Sequence, residues 1–256
     1  MQKLSTGMLG LVAVFLSWTF LPTGVQAAPV QLTPNFSIAF GYVGSYIHYS
    51  SDSGTQDHGY LNGFDINTLN HSTHSLWGLG QVIQKLHFSF LAGVMASNSD
   101  PALSPSRYFD FESQCGLNQS LMNQNTLGEY LIVGDRVWSR SFNTLTYQNF
   151  YIGLGVQTHL VLNKKMSMGL HLSGRWSPMN ALNTVATGNT LFYAGPGSNF
   201  KISLPVSERI CNHCEIQLIP YDSYWHFKSE NAHTSIFEPT NTTNELAVKL
   251  AMCYGF

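Results

Sequence analysis

The chain has 256 residues, of which 44% are hydrophobic, 13% aromatic and only 10% charged, with a formal net charge of -2. An ordinary soluble domain carries roughly 25% charged residues, so this composition excludes a charged disordered chain and a coiled coil. The balance leaves no basic surface, and nucleic acid is not expected as a partner.

Residues 1–27 read as a secretory signal peptide. Lys3 precedes an apolar run over residues 8–21, then come Pro22, Gly24 and the small-residue site Val25-Gln26-Ala27, the layout of a cleaved leader. An N-terminal anchor is the weaker alternative, because the run is shorter than the roughly 20 residues of a comfortable span. Residues 28–256 are then one expected domain.

Beyond the leader the pattern has period two. Phe36, Ile38, Phe40, Tyr42 and Tyr46 alternate with Ser37, Ala39, Gly41, Val43 and Ser45. Residues 76–83 and 86–96 read as a hairpin turned at Gln84-Lys85, with Leu86, Phe88, Phe90, Ala92, Val94 and Ala96 on one face. Residues 130–140 read as a strand of open facing, since Asp135 and Arg136 break both registers. Residues 150–162 and 166–176 form a second hairpin about Asn163-Lys164-Lys165, its apolar positions alternating with Gln157, His159, His171 and Arg175 among others. Residues 200–206 and 216–227 are weaker strands. Pro220 lacks a ladder donor and is expected at a bulge or an edge.

The final stretch is the clearest. Leu246, Val248, Leu250, Met252, Tyr254 and Phe256 are apolar, while Ala247, Lys249, Ala251, Cys253 and Gly255 between them are small or polar. Such alternation sets one face in an apolar medium and the other against a polar or packed interior. Polar connections are expected over residues 50–57, 97–106, 177–199 and 229–244. After residue 27 no apolar run is long enough for a transmembrane helix, so a membrane form must be a closed barrel.

With these pieces the chain resembles Gram-negative outer-membrane β-barrel proteins as a class. The resemblance rests on the alternating last strand, the terminal Phe256 and the leader. It implies an all-β, antiparallel transmembrane barrel of eight to twelve strands, ten favoured, located in the outer membrane. Leu250, Met252, Tyr254 and Phe256 would then form the signal read by the barrel assembly machinery. Tyr46, Trp176 and Trp225 would end ascending strands at the upper interface, with Phe36, Tyr254 and Phe256 at the lower one. A secreted β-sandwich is the alternative, but it normally carries more surface charge.

Several groups are candidates for chemistry. Gln157, His159, His171, Arg175, Glu245 and Lys249 form an inward polar set, expected to plug the lumen or line a pore. Cys211 and Cys214 frame Asn212-His213 and are a candidate disulfide in an oxidising compartment. Zinc would need a fourth ligand there. His48, His58, His71 and His74 are a candidate outer-surface metal cluster, with solvated loop histidines favoured over it. No G-x-S-x-G or H-E-x-x-H motif occurs, and neither cofactor nor metal is expected. The leading expectation is a non-enzymatic surface barrel with long extracellular loops that bind a partner. A narrow porin-like channel is second, and a lipid or peptide hydrolase third. The implied partners are outer-membrane lipids including lipopolysaccharide, the assembly machinery and an extracellular ligand.

Overall fold

The computed structural model describes residues 36–256 except 77–78, 99–102, 122–124, 141–144, 185–189 and 230–238. The signal-peptide assignment lies outside the described residues. The regular elements of the described residues are all strands: β1 Phe36–Ser51, β2 Gln56–Ser75, β3 Gln81–Ser97, β4 Ser104–Ser120, β5 Thr126–Arg140, β6 Leu145–Val161, β7 Met166–Thr184, β8 Thr190–Ala194, β9 Gly197–Ser203, β10 Val206–Arg209, β11 Cys214–Phe227 and β12 Asn241–Gly255.

Every pairing between them is antiparallel, and β12 pairs with β1, which closes the sheet. The register of β7 against β8, β9 and β10 is continuous, so these three are one wall strand. Pro196 and Pro205, which have no N–H to give the ladder, divide it. The wall therefore counts ten strands.

The barrel's stagger follows from its pairing. From Phe36 the row passes through Asn70, Gln84, Cys115, Leu131, Leu154, Gly174, Phe200, Tyr224 and Asn244, and it returns to β1 at His48. One circuit thus climbs twelve residues (48 − 36 = 12). That is just over one residue per strand, the tilted geometry closure requires.

Alternation decides what faces where. On β12, Leu246, Val248, Leu250, Met252 and Tyr254 are exposed, as is Phe256 just beyond it, while Glu245, Ala247, Lys249 and Ala251 are buried. Phe36, Phe40 and Tyr42 continue the exposed face on β1. The seam is held by the register from Ser37↔Gly255 to Ser51↔Asn241, and Phe256 N–H donates to the Phe36 carbonyl at 2.8 Å. Phe256 also packs against the Phe36 ring at 5.9 Å and the Tyr254 ring at 4.8 Å.

Five sequence expectations are corrected. First, Gln84-Lys85 is not a turn. β3 runs through it, Gln84 facing out and Lys85 in, where Lys85 Nζ finds the Gln157 amide oxygen and the Tyr130 ring. The chain reverses instead at residues 76–80, where Gly80 takes φ 151°.

Second, the strands run into every one of the expected long connections, and 177–199 is mostly strand. β1 and β2 leave only residues 52–55 between them, β3 and β4 only 98–103, and β7 runs on to Thr184. Among the connections at that end, 228–240 is the long one. Many of the polar residues read as loop are inward residues of the strand ends: Asp57, Ser106, Ser177, Asn180, Asn199 and Thr243 are buried.

Third, Pro220 sits within β11 between two paired neighbours, with no register shift on either side. It still accepts through its carbonyl, from Leu204 N–H at 3.0 Å. Its missing donor faces the neighbour strand one residue before Pro205, where the ladder is already interrupted. Fourth, Trp225 points inward and is buried against Tyr151 and Phe227, so it belongs to the core and not to a girdle.

Fifth, the histidines favoured as solvated loop residues stand on strands, His48 on β1 and His58, His71 and His74 on β2. His48 and His58 pair across β1 and β2, but His71 lies at the other end of β2. Among the described residues no group of three or more His, Cys, Asp or Glu side chains is placed to hold a metal.

Candidate functional site

Among the described residues, buried charges converge in the lumen. Asp65 from β2 is 3% exposed and meets both Lys249 of β12 and His87 of β3, while Asn67 donates to the same carboxylate. Arg175 of β7 joins its Nη2 to Glu112 Oε2 at 2.7 Å and donates from Nη1 to Asn199 Oδ1 at the same distance. The Tyr151 hydroxyl lies 2.8 Å from Asp110 Oδ1 and 3.1 Å from Glu112 Oε2. Glu245 accepts from Tyr221 at 2.8 Å and from Ser45 at 3.1 Å. Each buried ion here has an opposite charge or several donors, the condition under which burial is tolerated.

Toward the 52–55 end the filling changes character. Val43, Ile47, Tyr49, Leu61, Leu91, Met95, Tyr108, Trp138, Tyr147 and Ala247 form one buried cluster. Tyr130, Ile132, Tyr151, Trp225 and Phe227 form a second. Arg136 lies between them at 1% exposure, its guanidinium carbon 4.8 Å from the Tyr108 ring centre and 5.0 Å from that of Trp225. None of its side-chain nitrogens has a hydrogen-bond partner among the described residues.

Tight packing of the tyrosines depends on two glycines. Gly134 pairs with Tyr151 and Gly155 with Tyr130, and a Cβ at either glycine would stand 2.3 Å from the facing ring. Gly134→Val is accordingly expected to displace Tyr151 from Asp110 and Glu112 and to lower stability by about 1–3 kcal/mol, the usual cost of overpacking. Denaturation of the folded barrel checks this, and an unchanged midpoint contradicts it.

The structure places the six sequence candidates as follows. Arg175, Glu245 and Lys249 are buried in the lumen. Gln157 and His171 are half-buried on paired positions of β6 and β7, and His159 is inward in register but exposed at the lower mouth. Among the described residues, no hydrogen bond or ion pair joins any two of the six to each other. Their partners are Asp65, Glu112, Asn199, Tyr221, Ser45 and Lys85, and two of these, Asp65 and Glu112, lie on strands the sequence pattern did not reveal. A signal was present: Asp65, Glu112 and Lys85 each sit on the inward register of their strand.

Cys211 and Cys214 lie in the hairpin joining β10 to β11, where Ile210 N–H donates to the Cys214 carbonyl at 2.9 Å. Both are thiols in this structure, as are Cys115 and Cys253. Hydrogen bonding from Cys214 and from the His213 N–H, 3.4 Å away, holds the Cys211 thiol below its ordinary range.

No family model matches the chain, and no curated protein matches it. Among solved structures, the outer membrane protease OmpT from Escherichia coli aligns with a TM-score of 0.50 at 8% identity, covering 91% of this chain and 99% of that one. The fold is that of a Gram-negative outer-membrane β-barrel. Two further matches are the autotransporter translocators of NalP from Neisseria meningitidis and AIDA-I from Escherichia coli. NalP scores 0.48 at 8% identity over 98% of this chain and 95% of that chain, and AIDA-I 0.49 at 8% over 100% of both. Such barrels cross lipid with closed walls because lipid cannot satisfy an open sheet edge.

Proposed function

We propose that this chain is a non-enzymatic outer-membrane surface barrel whose lumen is closed by its own side chains. The observation that carries the reading is the filling of the interior: Arg136, Tyr151, Glu245 and Asp65 are all 3% exposed or less. A diffusion pore needs a continuous wet path, which packed aromatic rings and paired ions do not leave. The end bearing residues 52–55, 98–103 and 228–240 is read as extracellular and the Phe36–Phe256 end as periplasmic.

Above the apolar belt the outer wall turns polar at His48, Ser50, Gln56, His58, Thr242 and Asn244. That rim, with segment 228–240, is where an extracellular ligand and the lipopolysaccharide headgroups are expected to meet the protein. The residues Leu250, Met252, Tyr254 and Phe256 are proposed as the contact for the assembly machinery.

Reconstitution into planar bilayers tests the closed lumen. The reading expects a baseline indistinguishable from protein-free lipid. Reproducible conductance steps would favour the narrow-channel alternative and overturn it.

A further inference from the structure

The outer wall is not uniformly apolar within its belt. On β11, β12 and β1 the outward residues from Ile216 and Leu218 through Val248–Phe256 to Phe36, Phe40 and Tyr42 are apolar, and the outward charge above them is Asp222, opposite Leu246. On β3, β4 and β5 the outward residues are not all apolar. Gln84 stands outward between Val82 and Leu86, Ser113 and Cys115 between Phe111 and Leu117, and Glu129 between Leu127 and Leu131.

Gln84 pairs directly with Cys115, and Glu129 is the diagonal neighbour of Cys115 through Leu117. Among the described residues, no side-chain hydrogen bond reaches Gln84, Ser113, Cys115 or Glu129, whose backbones are paired in the ladder. Hydrocarbon offers none either, and a polar group facing lipid costs free energy unless it is paired.

We propose that this β3–β5 face is the interface between two copies of the chain in the membrane, related by a two-fold axis along the membrane normal beside β4. Such an axis sets β3 of one copy against β5 of the other, so each contact occurs twice. The stagger then decides which residues meet. The row through Gln84 reaches β5 at Leu131, having climbed a little over two residues on the way. Glu129 lies two residues back toward the Phe256 end, which returns it to the level of Gln84. The Gln84 amide of each copy therefore faces the Glu129 carboxylate of the other and donates to it. Ser113 and Cys115 lie nearest the axis, where small side chains let the walls approach. Neither side alone satisfies its polar groups, and the isologous pair satisfies both.

Cys115 supplies its own reporter. In full-length protein carrying Cys211→Ser, Cys214→Ser and Cys253→Ser, in outer membranes or lipid vesicles, mild oxidation or a short bis-maleimide should join Cys115 to Cys115. The covalent dimer should be several-fold more abundant than from the same background carrying Cys115→Ser and Leu250→Cys on the apolar wall. The further double variant Gln84→Leu with Glu129→Leu should lose that cross-link while keeping its heat-dependent gel shift, which shows the barrel still closed. Cross-linking no greater than at position 250, or a product of mass other than twice the chain, overturns the interface. Loss of the gel shift in the parent would instead contradict the barrel itself, so the two failures are distinguishable.

Discussion

Arg175→Met is expected to lower the stability of the barrel by about 3–5 kcal/mol, because it strips the cation from a buried pair and leaves the anion behind. Glu112 is 2% exposed and Asp110 7% exposed, and Arg175 is the only cation that an ion pair joins to either among the described residues. Tyr151 and Gln114 would still donate to Glu112, but neither carries charge. A large loss on breaking the pair does not mean that the pair stabilises much by itself. An apolar replacement of both partners avoids the stranded charge. Arg175→Met with Glu112→Leu should therefore recover most of the lost stability. Denaturant midpoints in lipid or detergent read both effects, and a double variant as weak as the single one would contradict this account.

Arg136→Met is expected to act in the opposite direction. Its guanidinium is as buried as that of Arg175, yet it lacks hydrogen bonds among the described residues and rests on aromatic faces. Those faces return about 2 kcal/mol when desolvated. Leaving several charged N–H groups unsatisfied costs roughly 1–3 kcal/mol or more each. The second effect is larger, so methionine, which fills similar space between the rings, should raise stability by about 1–3 kcal/mol. A loss comparable to that of Arg175→Met would show that Arg136 has a strong partner. The same measurement thus separates a paired buried arginine from one held only by rings.

The fold was legible where the two faces differ in chemistry. β12 and the β6–β7 hairpin set large apolar side chains against small or polar ones, and their register could be read directly. β4 was not legible, because its upper inner face carries Tyr108 opposite outward Phe109 and Phe111. With aromatics on both faces the period-two signal vanishes. β2 failed for a related reason: inward Leu61 and outward Asn62 invert the expected pattern. On β5, Asp135 and Arg136 resolve simply. Arg136 goes in, and Asp135 stays outside, where it accepts from Gln148 at 2.8 Å. Half of the lumen network was hidden with β2 and β4, since Asp65 and Glu112 reside there. A sequence lists the ions, but which of them share a height depends on the twelve-residue stagger, which no single strand encodes.

The central claim is a lipid-crossing wall with alternate residues turned into a filled lumen. Single cysteines at 249, 250, 171 and 172, in a background of the four native cysteines changed to serine, test it most directly. The account predicts that a lipid-phase thiol reagent labels positions 250 and 172 and spares 249 and 171. It also predicts that a water-soluble, membrane-impermeant reagent leaves position 249 unmodified from either side. Lipid-phase labelling of 249 in preference to 250, or rapid modification of 249 from the outer surface, would contradict it.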